Sequence, residues 1–153
     1  MTDIHVRQQV RDRIAALVGQ VSELTGKVFT SRTSELGADE IPAAIVVFEK
    51  EIIENKGSNR PMIGIQKRDI QTSVYVFARS LKEIEATLDG LCAQIEQKVF
   101  TDSTLQGVAA QTIIESVEPF IRSDPTLPTG AYRILFSSIV FTREGSPFKA
   151  IQQ

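Results

Sequence analysis

Apolar residues at the start of the chain recur at steps of three and four. Val6, Val10, Ile14, Leu17, Val21 and Leu24 therefore share one face of a helix. Thr2 or Asp3 is placed to cap its start, and Gly26 to end it. Gly19 falls inside the pattern at a cost of about 1 kcal/mol relative to Ala, which predicts a loose last turn. The period then changes. Residues 27–31 read as a short strand, and a polar stretch over 30–40 leads to the run AAIVVF at 43–48. Such an unbroken apolar run suits a strand buried on both faces. Residues 67–79 alternate, with Ile70, Thr72, Val74, Val76 and Ala78 on one side and Gln71, Ser73, Tyr75 and Phe77 on the other. Between these strands Gly57, Pro61 and Gly64 break the periodicity, so residues 54–66 are expected to form a long loop or a splayed hairpin tip.

Ser80 and Glu83 have the spacing of a capping box. It opens a second helix whose stripe is Leu81, Ile84, Leu88, Leu91, Ile95 and Val99, ending at Thr101, Asp102 and Ser103. Residues 108–117 and 131–143 read as strands joined by a turn-rich stretch at 123–130. Tyr132, Ile134, Phe136 and Val140 lie on one face of the last strand; Leu135, Ile139 and Phe141 lie on the other. Residues 144–153 are expected to fray or to need a partner. The order predicts a single α+β domain over 1–153. It has a mainly antiparallel four- to five-stranded sheet, two helices on one face and a long loop or hairpin extension.

This layout leaves a surplus. Two helices packed ~10 Å apart shield about four strands at ~4.8 Å each, on one face only. Yet Tyr75 and Phe77 stand opposite Val74 and Val76, and Phe136 stands opposite Phe141. Monomers avoid a broad apolar surface in water. Either the loops at 30–40 and 54–66 fold over that side, or a partner packs against it, and the second reading is favoured.

Composition narrows the chemistry. The 153 residues, 42% hydrophobic and 24% charged, match an ordinary globular domain. Seventeen Lys and Arg against nineteen Asp and Glu speak against a dedicated nucleic-acid binder. One Cys rules out an internal disulfide and fits a reducing compartment. His5 and Cys92 are the sole candidates for a histidine-assisted nucleophile, and helix-start and core roles suit them better. Zinc would lack ligands. Glu49 with Glu51 on one strand face, and Asp39 with Glu40, are carboxylate pairs that in principle take a cation or a proton. Solvated surface charge is their more ordinary role. Phosphate-loop glycine spacing is absent. The basic group Lys56, Arg60, Lys67 and Arg68 is either a solvated hairpin tip or a contact for acidic groups or a nucleic-acid backbone. No signal-peptide pattern or membrane-length apolar run is present, so a cytoplasm-like setting is expected.

Several segments occur in a telling order. RDRIAALVGQVSEL opens the chain. The strand QTSVYVFARS then leads straight into the helix LKEIEATLDGLCAQIEQKVF. After the break TDSTLQGVA come the strand TIIESVEPFI, the turn DPTLPTG and the final strand AYRILFSSIVFTRE. Over residues 6–143 this order resembles the bacteriophage tail terminators, small minor tail proteins of the lambda-like U family. The resemblance implies a non-enzymatic virion protein without a cofactor. It would form a homo-oligomeric ring, typically a hexamer, at the head-proximal end of the tail after assembly in the host cytoplasm. Its partners would be the major tail tube protein and a head-tail connector or neck protein. Viral DNA would pass through the ring without sequence-specific binding, and no membrane is involved. The expected assembly contacts are Lys56, Arg60, Lys67, Arg68, Tyr75, Phe77 and Phe141. Two alternatives remain: a head-side completion protein, and a small ligand-binding domain or enzyme built on Glu49, Glu51 and Arg68.

Overall fold

A computed structural model describes residues 3–30, 32, 36–56, 64–80, 83–122 and 129–151. In chain order the elements are α1 (Val6–Val18), β1 (Val28–Thr30), β2 (Ala43–Lys56), β3 (Ile65–Arg79), α2 (Ile84–Phe100), β4 (Gln111–Arg122) and β5 (Thr129–Arg143). They form one five-stranded sheet in the order β1-β2-β3-β5-β4. The β1–β2 pair is parallel and the other three are antiparallel. The α+β layout, with both helices on one face, is therefore as expected.

The first helix is shorter than its apolar pattern. It ends at Val18 with Gly19 as its cap. A single 3-10 turn at Ser22–Leu24 then carries Val21 and Leu24 into the same core. Gly26, at φ +76°, turns the chain into β1, a conformation in which a side chain would be strained. Of the two expected caps, Asp3 does not hold the start, and Thr2 lies outside the described residues. Instead His5 Nδ1 accepts the backbone N–H of Arg7 at 3.0 Å and its Nε–H at 3.3 Å. The second helix starts later than the expected box places it: Glu83 is its N-cap, Ser80 Oγ accepts the N–H of Glu83 at 3.1 Å ahead of the helix, and Leu81 lies outside the described residues.

Core packing follows the two periods. Even-numbered residues of β3 and β5, including Ile70, Val74, Val76, Ile134 and Phe136, are buried against α1 and α2. The first helix lies over β1 and β2, the second over β3 and β5. Gly130 permits the close approach of α2, since a Cβ there would stand 2.8 Å from Ile84 Cγ1.

Long-range pairing changes three expected boundaries. The ladder Glu54↔Lys67, Asn55↔Gln66 and Lys56↔Ile65 extends β2 and β3 into the stretch expected to be a loop, of which residues 57–63 lie outside the described residues. Residues 108–110 belong to a turn in which Leu105, Gln106 and Gly107 take positive φ, so β4 starts later and runs on to Arg122. The C-terminal segment is tied down rather than frayed. Pro147 O accepts the N–H of Val6 at 2.9 Å, Phe148 O accepts Gln9 Nε2 at 2.8 Å, and Ile151 N–H donates to Phe141 O at 2.7 Å.

Phe136→Ala empties a fully buried site and is expected to cost about 3–5 kcal/mol in urea unfolding. Phe100→Ser, at 82% exposure, should stay within about 0.5 kcal/mol of the parent. A second test concerns pH. Burial, then the charge of Arg7, hold the His5 imidazole below its ordinary 6.5. The unfolded chain takes up that proton first, so the contribution of the cap is full above 6.5 and declines as pH falls towards the lowered folded value. His5→Asn keeps an acceptor without titrating and should flatten that part of a midpoint-versus-pH curve.

Candidate assembly surface

Alternation along β2, β3 and β5 builds a second face on the side away from the helices. It carries Phe29, Ile45, Val47, Tyr75, Phe77, Leu135, Ile139 and Phe141, all half-buried in the single chain. Tyr75, Phe77 and Phe141 thus stand together, as the alternation predicts. Among the described residues, cover from the 30–40 stretch is confined to one corner, where the Arg32 guanidinium stacks over the Phe29 ring at 4.6 Å. Glu40 grips that arginine and also accepts the N–H of Gly37, which pulls its carboxyl down to about 2.

Polar groups within this face satisfy one another. Tyr75 Oη donates to Glu49 Oε1 at 3.1 Å. Arg133 Nε donates to Ser73 Oγ at 3.0 Å, lies 3.5 Å from Glu49, and its Nη1 is 3.7 Å from Glu118. Ser137 Oγ donates to Asp69 at 2.5 Å. Burial, then the Glu49 charge, push the Tyr75 hydroxyl up. With Glu49, Asp69 and Arg133 paired internally, much of what the centre of the face offers a neighbour is apolar.

The basic group does not form a single patch. In β3, Lys67 points to the open face and Arg68 to the helix side, because neighbours in a strand alternate. Arg68 is buried: it donates to Glu51 Oε1 at 3.1 Å, Thr142 Oγ1 at 2.9 Å and Gln66 Oε1 at 3.0 Å. It is an internal ion pair rather than the surface contact expected from sequence. The Lys56 side chain and the whole of Arg60 lie outside the described residues.

Glu49 and Glu51 also part company. The register shifts between Phe48 and Lys50, a bulge that sends Glu49 to the open face and Glu51 to the helix side. Glu49, Glu51 and Arg68 therefore do not converge on one pocket. Burial, then Glu96 and Asp89, push the Cys92 thiol up to about 12. Among the described residues no group of three or more His, Cys, Asp and Glu is placed to hold a metal ion, and no helix is long and apolar enough to cross a membrane.

A further surface was not read from the sequence. Two helices cover four strands, so β4, at the sheet edge, has none above it. Ile113, Ile114 and Val117 are 37–45% exposed there, beside the more exposed Phe100 of α2. A groove of about 450 Å³ runs between α2 and β4, lined by Glu96, Val99, Phe100, Thr112, Ile114 and Phe136. The surplus of apolar residues in TIIESV was visible in the sequence. The position of β4 at an edge was not.

No family model matches this sequence, and no curated protein sequence matches it. Among solved structures, the chain is similar to a chain in the virion of a native gene transfer agent particle. The two share 15% identity, the match covers 90% of this chain and 92% of that one, and the TM-score is 0.43.

Arg68→Met would strip the buried Glu51 carboxylate of its nearer partner and leave it only Arg7 at 4.0 Å, at an expected cost of about 3 kcal/mol in chemical unfolding. The pair Arg68→Met with Glu51→Leu should recover most of that loss. A double variant no better than the single would show that Glu51 needs no partner.

Proposed function

We propose that this chain is a structural subunit of a phage-type virion, acting as a tail terminator. Copies close into a ring on the end of a completed tail tube, block addition of further tube subunits and present a surface to the head-side connector. The observation that carries this reading is the half-covered sheet. Both helices pack on one face, while Tyr75, Phe77, Leu135, Ile139 and Phe141 stand on the other beside internally paired charges. A chain with that surface completes its packing against neighbours. The order of segments over residues 6–143, which resembles the tail terminators, supports the same reading. The work is steric: a ring occupies the growing end, and no bond is made or broken. A head-to-tail contact repeated by rotation closes a ring when the angle fits.

Electron microscopy of purified tail tubes tests the proposal. Tubes mixed with this protein should stop growing and gain a ring of density at one end. Continued growth with bare ends would overturn it, and capture by the connector alone would move the chain to the head side. Phe77→Asp places a charge on the open face, away from the helices. The isolated chain should keep its thermal midpoint within a few degrees, a cost below about 1–2 kcal/mol, yet lose the ring.

A further inference from the structure

The sheet has two unlike edges. On the β4 side, Glu85, Asp89, Glu96 and Phe100 recur at steps of four, seven and four along α2, so they share one flank of that helix. Glu96 and Phe100 both line the groove, which fixes this flank towards β4. Among the described residues, none of these three carboxylates has an ion-pair partner. Exposed Ile114 and Val117 complete an apolar floor under an acidic wall.

The opposite edge is its complement. Only Val28–Thr30 of β1 pair with β2, so from Val47 onward β2 is itself an edge strand. Exposed Phe48 and Ile53 lie there on the helix side. Above them runs α1, whose Arg13 faces α2 through Asp102 at 3.1 Å. Arg7 and Arg11, one turn apart, occupy the other flank, and Arg7 stacks over Phe48 at 5.4 Å. Arg11 has no ion-pair or hydrogen-bond partner among the described residues, and its Nε is shut off from solvent. Thus α1 carries three arginines against one aspartate, and α2 three carboxylates against one lysine.

We propose that the groove between α2 and β4 receives the α1–β2 edge of a second copy, with Arg11 and Arg7 against Glu96 and its flank and Phe48 against the Phe100–Ile114 floor. The two patches lie at opposite edges of one sheet, so the contact is head-to-tail and each copy still offers both ends. Charges of opposite sign set the direction, Arg11 foremost because it has no ion-pair partner among the described residues, and the apolar floor supplies the buried area. This deepens the ring reading, on which it rests, by naming an edge-to-edge contact between subunits beside the open face.

Charge reversal of the full-length chain separates the two. Sedimentation velocity gives the concentration for half-assembly, and electron microscopy scores rings on tubes. Arg11→Glu and Glu96→Arg should each raise that concentration by about tenfold or more, since like charges then meet. An equimolar mixture of the two variants, or the double variant, should restore assembly, because opposite charges face each other again. Phe100→Asp, on a residue 82% exposed, should weaken assembly without lowering the unfolding midpoint, which covers the case of an Arg11 variant that folds poorly. Rings from all three single variants at parental concentrations would overturn this contact and leave the ring reading standing. A parent chain that neither self-associates nor caps tubes would overturn both.

Discussion

Helix width set against sheet width is the constraint on which this structure rests. Helices pack ~10 Å apart and strands ~4.8 Å apart, so two helices shelter about four strands. Here there are five strands, and both helices lie on the same side. Among the described residues, the other face and the outer side of β4 therefore have no helix over them. The chain manages that remainder by pairing its polar groups locally. Glu49, Tyr75, Arg133 and Ser73 form one linked set, and Asp69 with Ser137 another. The face keeps enough polarity to be wetted in a single copy, and little of it needs a new partner when a neighbour covers it.

Two bulges redistribute side chains between the faces. One falls between Phe48 and Lys50, the other between Ile114 and Ser116. Each adds one residue to its strand and reverses the side on which later residues emerge. The first brings Glu51 under the start of α1, where it meets Arg68 and lies 4.0 Å from Arg7. A one-residue slip of β2 on β3 would turn Glu51 to the open face and leave Arg68 buried and alone, so the pair opposes a change of register. The second exposes Ile113 on one face and Ile114 and Val117 on the other.

Net charge conceals the electrostatic character of the molecule. Seventeen cations against nineteen anions look almost neutral. The two helices differ: α1 carries three arginines against one aspartate and α2 three carboxylates against one lysine, and the packing of α1 over β1–β2 and α2 over β3–β5 carries that local difference towards opposite edges.

Local signals were legible in the chain itself. The stripe Leu88, Leu91, Ile95 and Val99 and the alternation from Ile70 to Ala78 involve residues within a turn or two of one another. Their outcome depends on near neighbours, so the α+β layout and the two-sided apolar strands could be read directly. Tertiary structure decided the rest. The end of α1 at Val18, the tether of the C-terminal segment, the burial of Arg68 and the parting of Glu49 from Glu51 each follow from pairings with distant residues. So does the edge position of β4, set by the insertion of β5 between β3 and β4. A linear pattern records which residues avoid water; only the folded sheet determines which of them find cover.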